Sequence, residues 1–433
     1  MTLVHKCRFI PFMPSAITAL AYHQQTLAVV RENSCLELWN LQDKYLEKQL
    51  FVNQKVEALA FIDSFLICAT LQGQLLIFQD LQLVLSVDSQ GGAIWSMAVF
   101  EDQVAIGCED GFIRIFQFSA HPLDLCYQKT LERHDGRILS LDWKQDRLVA
   151  GSDQSTCRVY DSTTGKSLLR MTFDALKDQP TIVWDLKMLT TDDQDQQQHN
   201  VVVSGDSMGH VIFWDMLTGV PLKTMKVHGA DVLCLAVHQN QVFSSGVDRK
   251  VIQFKKIKDT PSMMNNWVVS GEKRYHSHDV RALLWVHDRP HSTLISGGLD
   301  TLLIMSTPVE EFPHLKQYRM PFVPHKPKTL LAKSARLVVH PFESEIKVWS
   351  LDSFDSQLQT ENLSDAQKIA SLTPKHVLDL KLKVYLLVEK IHLHRLISLF
   401  KRVLFQIMVN GSLPLMLKEF VSFCLLEMTI VFL

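Results

Sequence analysis

One stretch narrows the possible folds of this chain more than any other because it recurs. From Val201 to Gly219 the sequence reads VVVSGDSMGHVIFWDMLTG. The β-branched run Val201 to Val203 leads to Ser204-Gly205, polar Asp206 to His210 turns the chain, and Val211 to Trp214 leads out to Asp215, with Gly219 closing the next turn. That is a pair of strands ending on an aromatic anchor ten residues after a small hydroxyl residue. Worn copies end at Trp39, Phe78, Phe116, Tyr160, Trp214 and Phe254, and a seventh reaches Ser306, so the anchors are 39, 38, 44, 54, 40 and 52 residues apart. A four-stranded antiparallel unit of this length cannot cover both of its faces, whereas seven arranged radially bury one another. The expected fold class is therefore all-β, with a seven-bladed β-propeller over residues 1–307.

After Ser306 the pattern is interrupted by Pro308, Pro313, Pro321, Pro324 and Pro327, which predicts a Pro-rich linker over 308–328. An eighth copy follows over 329–382, ending its third strand at Trp349, and reads as the first repeat of a second, incomplete propeller. Residues 383–433 lose the pattern and form an apolar tail. Asn410, Gly411, Pro414 and Lys418-Glu419 divide it, so it reads as a poorly folded or frame-altered segment rather than one spanning helix.

Spacing of this kind belongs to the WD40 repeat, in which a His before the first strand, a turn Asp, the hydroxyl and the anchor form a buried hydrogen-bond chain. Structural positions of that kind are expected at His134, His228 and His278, at Asp110, Asp248 and Asp300, and at anchors Trp39, Trp214 and Trp349. Asn33, Gln72, Gln154 and Met208 stand at the Asp position elsewhere, so those blades are expected to rely on packing. No P-loop, GxSxG or HExxH motif is present. The pairs His276-x-His278 and His392-x-His394 lack a second matching pair or nearby cysteines. No catalytic residue, metal or cofactor is expected.

Forty-four basic against forty-six acidic side chains leave a formal net charge of −2, so a nucleic-acid surface would have to be local. Candidate contacts for RNA or a partner are Lys6, Arg8, Arg137, Arg249, Lys250, Lys273 and Arg274. The eight cysteines are scattered without a CxxC pair, which fits reduced thiols in a cytosolic or nuclear protein.

Several segments in order, GGAIWSMA from Gly91, GCEDG from Gly107, RILSLDW from Arg137, SGDSMGHVIFWDMLTG from Ser204, HDVRA from His278 and SGGLDT from Ser296, resemble the cirhin family. This is a family of U3 snoRNA-associated WD40 proteins of the small-subunit processome. The resemblance covers roughly residues 4–382, and His5 to Phe9 and Ile346 to Leu351 fit it too. It implies tandem propellers, a nucleolar location and no catalysis. It further implies a scaffold role in early 18S pre-rRNA processing, with contacts to sister processome subunits and to the 5′ external spacer, and no small-molecule substrate. The chain departs from that family in its second propeller, which is expected to be truncated after one repeat. Two other readings are a generic WD40 adaptor, such as a ubiquitin-ligase substrate receptor, and a membrane-tethered propeller using Val403 to Leu433.

Overall fold

The computed structural model describes residues 15–320 apart from 43, 176–178, 191–199, 239–240, 258–266 and 289–290, together with 330–332, 337–341, 345–350 and 375–381. The chain divides into two compact units, Met13–Val323 and a second holding Pro324–Leu433 with Met1–Phe12.

The larger unit is a seven-bladed propeller. Its blades are four-stranded antiparallel sheets at 17–51, 56–88, 94–130, 138–172, 183–226, 232–273 and 280–319, numbered here 1 to 7, and within each the strands follow chain order from first to fourth. In blade 6, for example, they are Val232–His238, Gln241–Gly246, Val251–Lys256 and Trp267–Lys273. First strands of neighbouring blades pack against one another all the way round, so they line the axis.

Burial explains the choice of residues. Second strands such as Phe65–Thr70 (FLICAT) are buried at every position, because both faces of the blade are covered by neighbours. Fourth strands such as Gln82–Asp88 (QLVLSVD) lie at the rim and are mostly exposed. All seven anchor positions fall on third strands, and the six aromatic ones are at most 3% exposed. Seven apolar clusters each join two adjacent blades.

Close approach of blades requires glycine at certain second-strand positions. A Cβ on Gly107, Gly151, Gly205 or Gly297 would lie 2.5–2.7 Å from the side chain of Ile138, Val183, Val232 or Ile17, the β-branched residue that begins a neighbouring blade. The last of these contacts closes the ring.

Among the described residues, blades 7 and 1 share no strand; they meet through side chains. Ile17, Val29 and Trp39 pack with Ile295, Leu303 and Met305. Beside them Arg31, only 3% exposed, forms a 2.5 Å ion pair with Glu37 and donates to the carbonyls of Ser15 (2.8 Å) and Thr301 (3.1 Å). Glu37 in turn accepts from the Trp39 indole N–H at 2.9 Å.

The expected boundary after residue 307 needs correction. Val309–His314 forms a 3₁₀ turn that buries Val309 and Phe312, and Lys316–Arg319 completes blade 7 as its fourth strand. Pro308 and Pro313 break the alternation that would have revealed this strand. In the smaller unit, Leu330–Ala332, Leu337–Pro341, Glu345–Ser350 and Lys375–Lys381 form one four-stranded antiparallel sheet, with Trp349 opposite Val338. The segment 383–433 lies outside the described residues, and among those no helix is long and apolar enough to cross a membrane.

Candidate functional site: the mouth of the propeller axis

Each first strand begins with a buried β-branched residue and then skips one residue in its pairing. Ile17 pairs with Arg31 and Ala19 with Val30, which leaves Thr18 outside the ladder, and the same slip recurs in every blade. The bulged residues are Thr18, Glu57, Trp95, Leu139, Trp184, Leu233 and Arg281, all half-buried. A bulge re-aims the side chain it carries and is common beside functional sites. Here seven of them form a ring at one end of the axis, on the face that also carries the turns between second and third strands and the links between blades.

The ring is chemically divided. Blades 3 to 6 supply Trp95, Leu139, Trp184 and Leu233, an apolar arc. Blades 7, 1 and 2 supply Arg281, Thr18 and Glu57, a polar one. The Trp184 indole N–H donates to Asp231 at 2.8 Å, and that of Trp95 donates to Glu109. Arg137 lies over the Trp95 ring, 5.3 Å from its centroid, while its Nε contacts Asp153 at 2.8 Å. Burial pushes the Glu57 carboxyl above its usual range, tempered by Lys55 and Arg281, and Arg281 stands 3.9 Å from Glu32. Further along the first strands, burial disfavours charge on Lys187, but the carboxylates of Asp185 and Asp142 outweigh it and hold the ammonium protonated. Asp185 also accepts the Leu235 N–H of the next blade at 2.8 Å.

This arrangement offers aromatic faces, an apolar shelf and fixed charges, and it places no nucleophile beside a base. Among the described residues no group of three His, Cys, Asp or Glu is set to hold a metal.

The expected hydrogen-bond chains are distributed unevenly. In blade 6 His228 bonds Asp248 through Nδ1 (2.9 Å) and Ser244 through Nε2 (2.7 Å). In blade 7 the same role falls to His276, not His278: His276 bonds Asp300 at 2.8 Å and Ser296 at 2.7 Å, whereas His278 is exposed beside Ser277. The working offset is four residues before the first strand, which His134, His228 and His276 share and His278 does not. His134 is buried with its Nδ1 3.0 Å from the Asp135 carbonyl, but its Nε2 meets no hydroxyl among the described residues, because Ala150 stands where blades 6 and 7 have serine. Asp110 pairs with Arg114 at 2.6 Å instead of with a histidine. Trp214 donates to Ser204 at 2.9 Å, and Asp206, two residues before Met208, accepts the Met208 and His210 N–H groups.

Of the candidate basic contacts, Arg249, Lys250, Lys273 and Arg274 come together at one end of blade 6, where Val251 pairs with Lys273. Lys250 contacts Glu272 at 3.1 Å, and Arg249 and Arg274 are exposed. Arg137 lies apart from them, at the junction of blades 3 and 4. Lys6 and Arg8 fall outside the described residues. The ring of bulges was missed in the sequence, although a signal exists: it is the residue directly after each β-branched strand start.

Comparison with known proteins adds to this geometry. The family described as WD domain, G-beta repeat matches residues 125–161. That stretch starts in the last strand of blade 3 and ends with the third strand of blade 4, so the sequence repeat is staggered against the structural blade. The chain is similar to U3 small nucleolar RNA-associated protein 4 of Saccharomyces cerevisiae, at 30% identity over 83% of this chain and 50% of that protein. It is similar also to the protein of the same name from Schizosaccharomyces pombe, at 32% identity over 81% and 51%, and to the Homo sapiens homolog, at 30% over 81% and 52%. The chain thus spans about half the length of the curated relatives it matches.

Proposed function

We propose that this chain belongs with the U3 small nucleolar RNA-associated protein 4 relatives, the cirhin family, and acts as a non-enzymatic scaffold in ribosome biogenesis. The observation that carries the reading is the extent of the similarity. It takes in 81–83% of the chain, a larger share than the propeller unit Met13–Val323 makes up. A propeller whose mouth presents shelves and fixed charges supports it.

On this reading the chain works in the nucleolus on early 18S pre-rRNA, within the small-subunit processome. Its partners are sister subunits and the 5′ external spacer of the precursor. The cations gathered on blade 6, Arg249, Lys250, Lys273 and Arg274, with Arg137 and the N-terminal Lys6 and Arg8, would meet phosphate. The sheet at 330–381 would open a second propeller.

Affinity purification of the tagged chain at mild salt, with protein and RNA identified together, tests this. Processome subunits and pre-rRNA spacer are expected, and Trp184→Ala and Trp95→Ala are expected to reduce that yield while the chain stays folded. Recovery of ubiquitin-ligase subunits without pre-rRNA overturns the reading. Direct RNA contact predicts binding that weakens steeply as salt rises, because counterions are released from the phosphates.

A further inference from the structure

We propose that the groove between blades 4 and 5, on the face opposite the bulge ring, seats an extended partner peptide in which a bulky apolar side chain is followed by a carboxylate. The groove has a volume of about 450 Å³. That falls in the range of roughly 300–1,000 Å³ typical of formed binding sites. Leu169, Met188, Leu189 and Met216 line its floor, and Leu168 and Leu217 its sides. These two leucines are 44% and 67% exposed, so the apolar floor continues out to the surface.

Charge at the rim selects the occupant. Among the described residues that line the groove, Lys144 and Arg147 stand against the one carboxylate of Asp146, which lies 3.5 Å from Arg147. The Lys144 ammonium donates to the Met188 carbonyl at 2.5 Å and is partly desolvated; burial lowers its pKa, and Asp142 only partly offsets that. The Asp142 carboxylate is itself engaged by the Met188 N–H at 2.6 Å. A cation held at an apolar wall with a carbonyl for a partner gains most from an incoming anion. Beside it, Ser167–Thr172 is the last strand of its sheet; its first N–H bonds Glu132 at 2.9 Å, and beyond that its outer edge pairs with no strand among the described residues, which leaves room for an added one. Aliphatic lining favours a peptide over RNA, since single-stranded bases are held by aromatic faces.

The test does not depend on which assembly the chain serves. The full chain is immobilised and challenged with a displayed library of short random peptides, and an enriched peptide is then synthesised in Asp and Asn forms for calorimetry. Enrichment of an apolar residue followed by Asp or Glu is expected. Leu217→Asp and Lys144→Gln should each weaken the Asp peptide by about tenfold or more, with the melting temperature of the exposed Leu217→Asp variant unchanged. Lys144→Gln should also erase the preference for Asp over Asn, and Lys144→Arg should restore it. Absence of enrichment, enrichment of basic peptides, or full affinity on both variants overturns the proposal.

Discussion

Replacing Arg31 with methionine keeps most of the side chain's volume but removes the guanidinium that bridges the two ends of the ring. Glu37 is 1% exposed, so the single variant leaves a buried carboxylate with only the Trp39 N–H as partner. Losing one member of a buried pair costs about 3–5 kcal/mol. The bonds from Arg31 to Ser15 and Thr301 are lost as well, and Thr301 belongs to blade 7. At roughly 2 °C per kcal/mol for a unit of this size, melting should fall by about 6–10 °C. Hydrogen exchange should quicken at the start of blade 1 and in the Thr301 turn before it does elsewhere. The double variant Arg31→Met with Glu37→Leu removes both charges and should be no worse than the single one, although the Trp39 N–H then lacks its partner at a cost of about 1–3 kcal/mol. Scanning calorimetry of the four proteins of this cycle measures the coupling. A single variant within about 1 kcal/mol of wild type, or a double whose loss equals the sum of the singles, would show that the ring closes by apolar packing alone.

Three further outcomes follow from the geometry. Ala150→Ser supplies the hydroxyl that the His134 Nε2 lacks, and should stabilise the propeller by about 0.5–1.5 kcal/mol in chemical denaturation. Gly205→Val drives a Cβ to within 2.6 Å of Val232 and should cost at least about 1–3 kcal/mol, whereas Gly229→Ala, with nothing within 4 Å, should change melting by less than about 0.5 kcal/mol. Burial raises the Asp300 carboxyl, but the bonds from His276 and from backbone N–H groups outweigh it and hold the pKa below the ordinary value. A carboxyl lowered in the folded state adds stability that is complete above its unfolded value of about 3.9 and is lost as pH falls through the folded one. Asp300→Asn should therefore flatten the acid limb of melting temperature against pH, and a limb as steep as wild type would count against this role.

The ring was legible because its anchors are local: one apolar third strand per copy, ending in a residue that is at most 3% exposed in all six aromatic cases. The histidine of blade 7 was misplaced because two stand two residues apart, and only the offset to the strand start, visible once strands are drawn, selects His276. The last strand of blade 7 was hidden by Pro308 and Pro313, and the 3₁₀ turn that leads into it is anchored by Phe312 packing on Phe243 of blade 6. The Arg31–Glu37 pair could not be read at all. Both look like surface residues of a strand, and only the neighbouring blade takes them out of water. The bulge ring escaped for a related reason, since a slipped pairing leaves the alternation of the strand almost unchanged.

Those seven bulges uncouple two demands that a strand residue usually meets together. A residue outside the ladder makes no register contact that its blade depends on, so Thr, Glu, Trp, Leu and Arg occupy equivalent places on nearly identical backbones. Substitution there alters what the mouth of the axis presents while leaving the walls that carry it intact. A propeller of this kind can change what its mouth presents one spoke at a time.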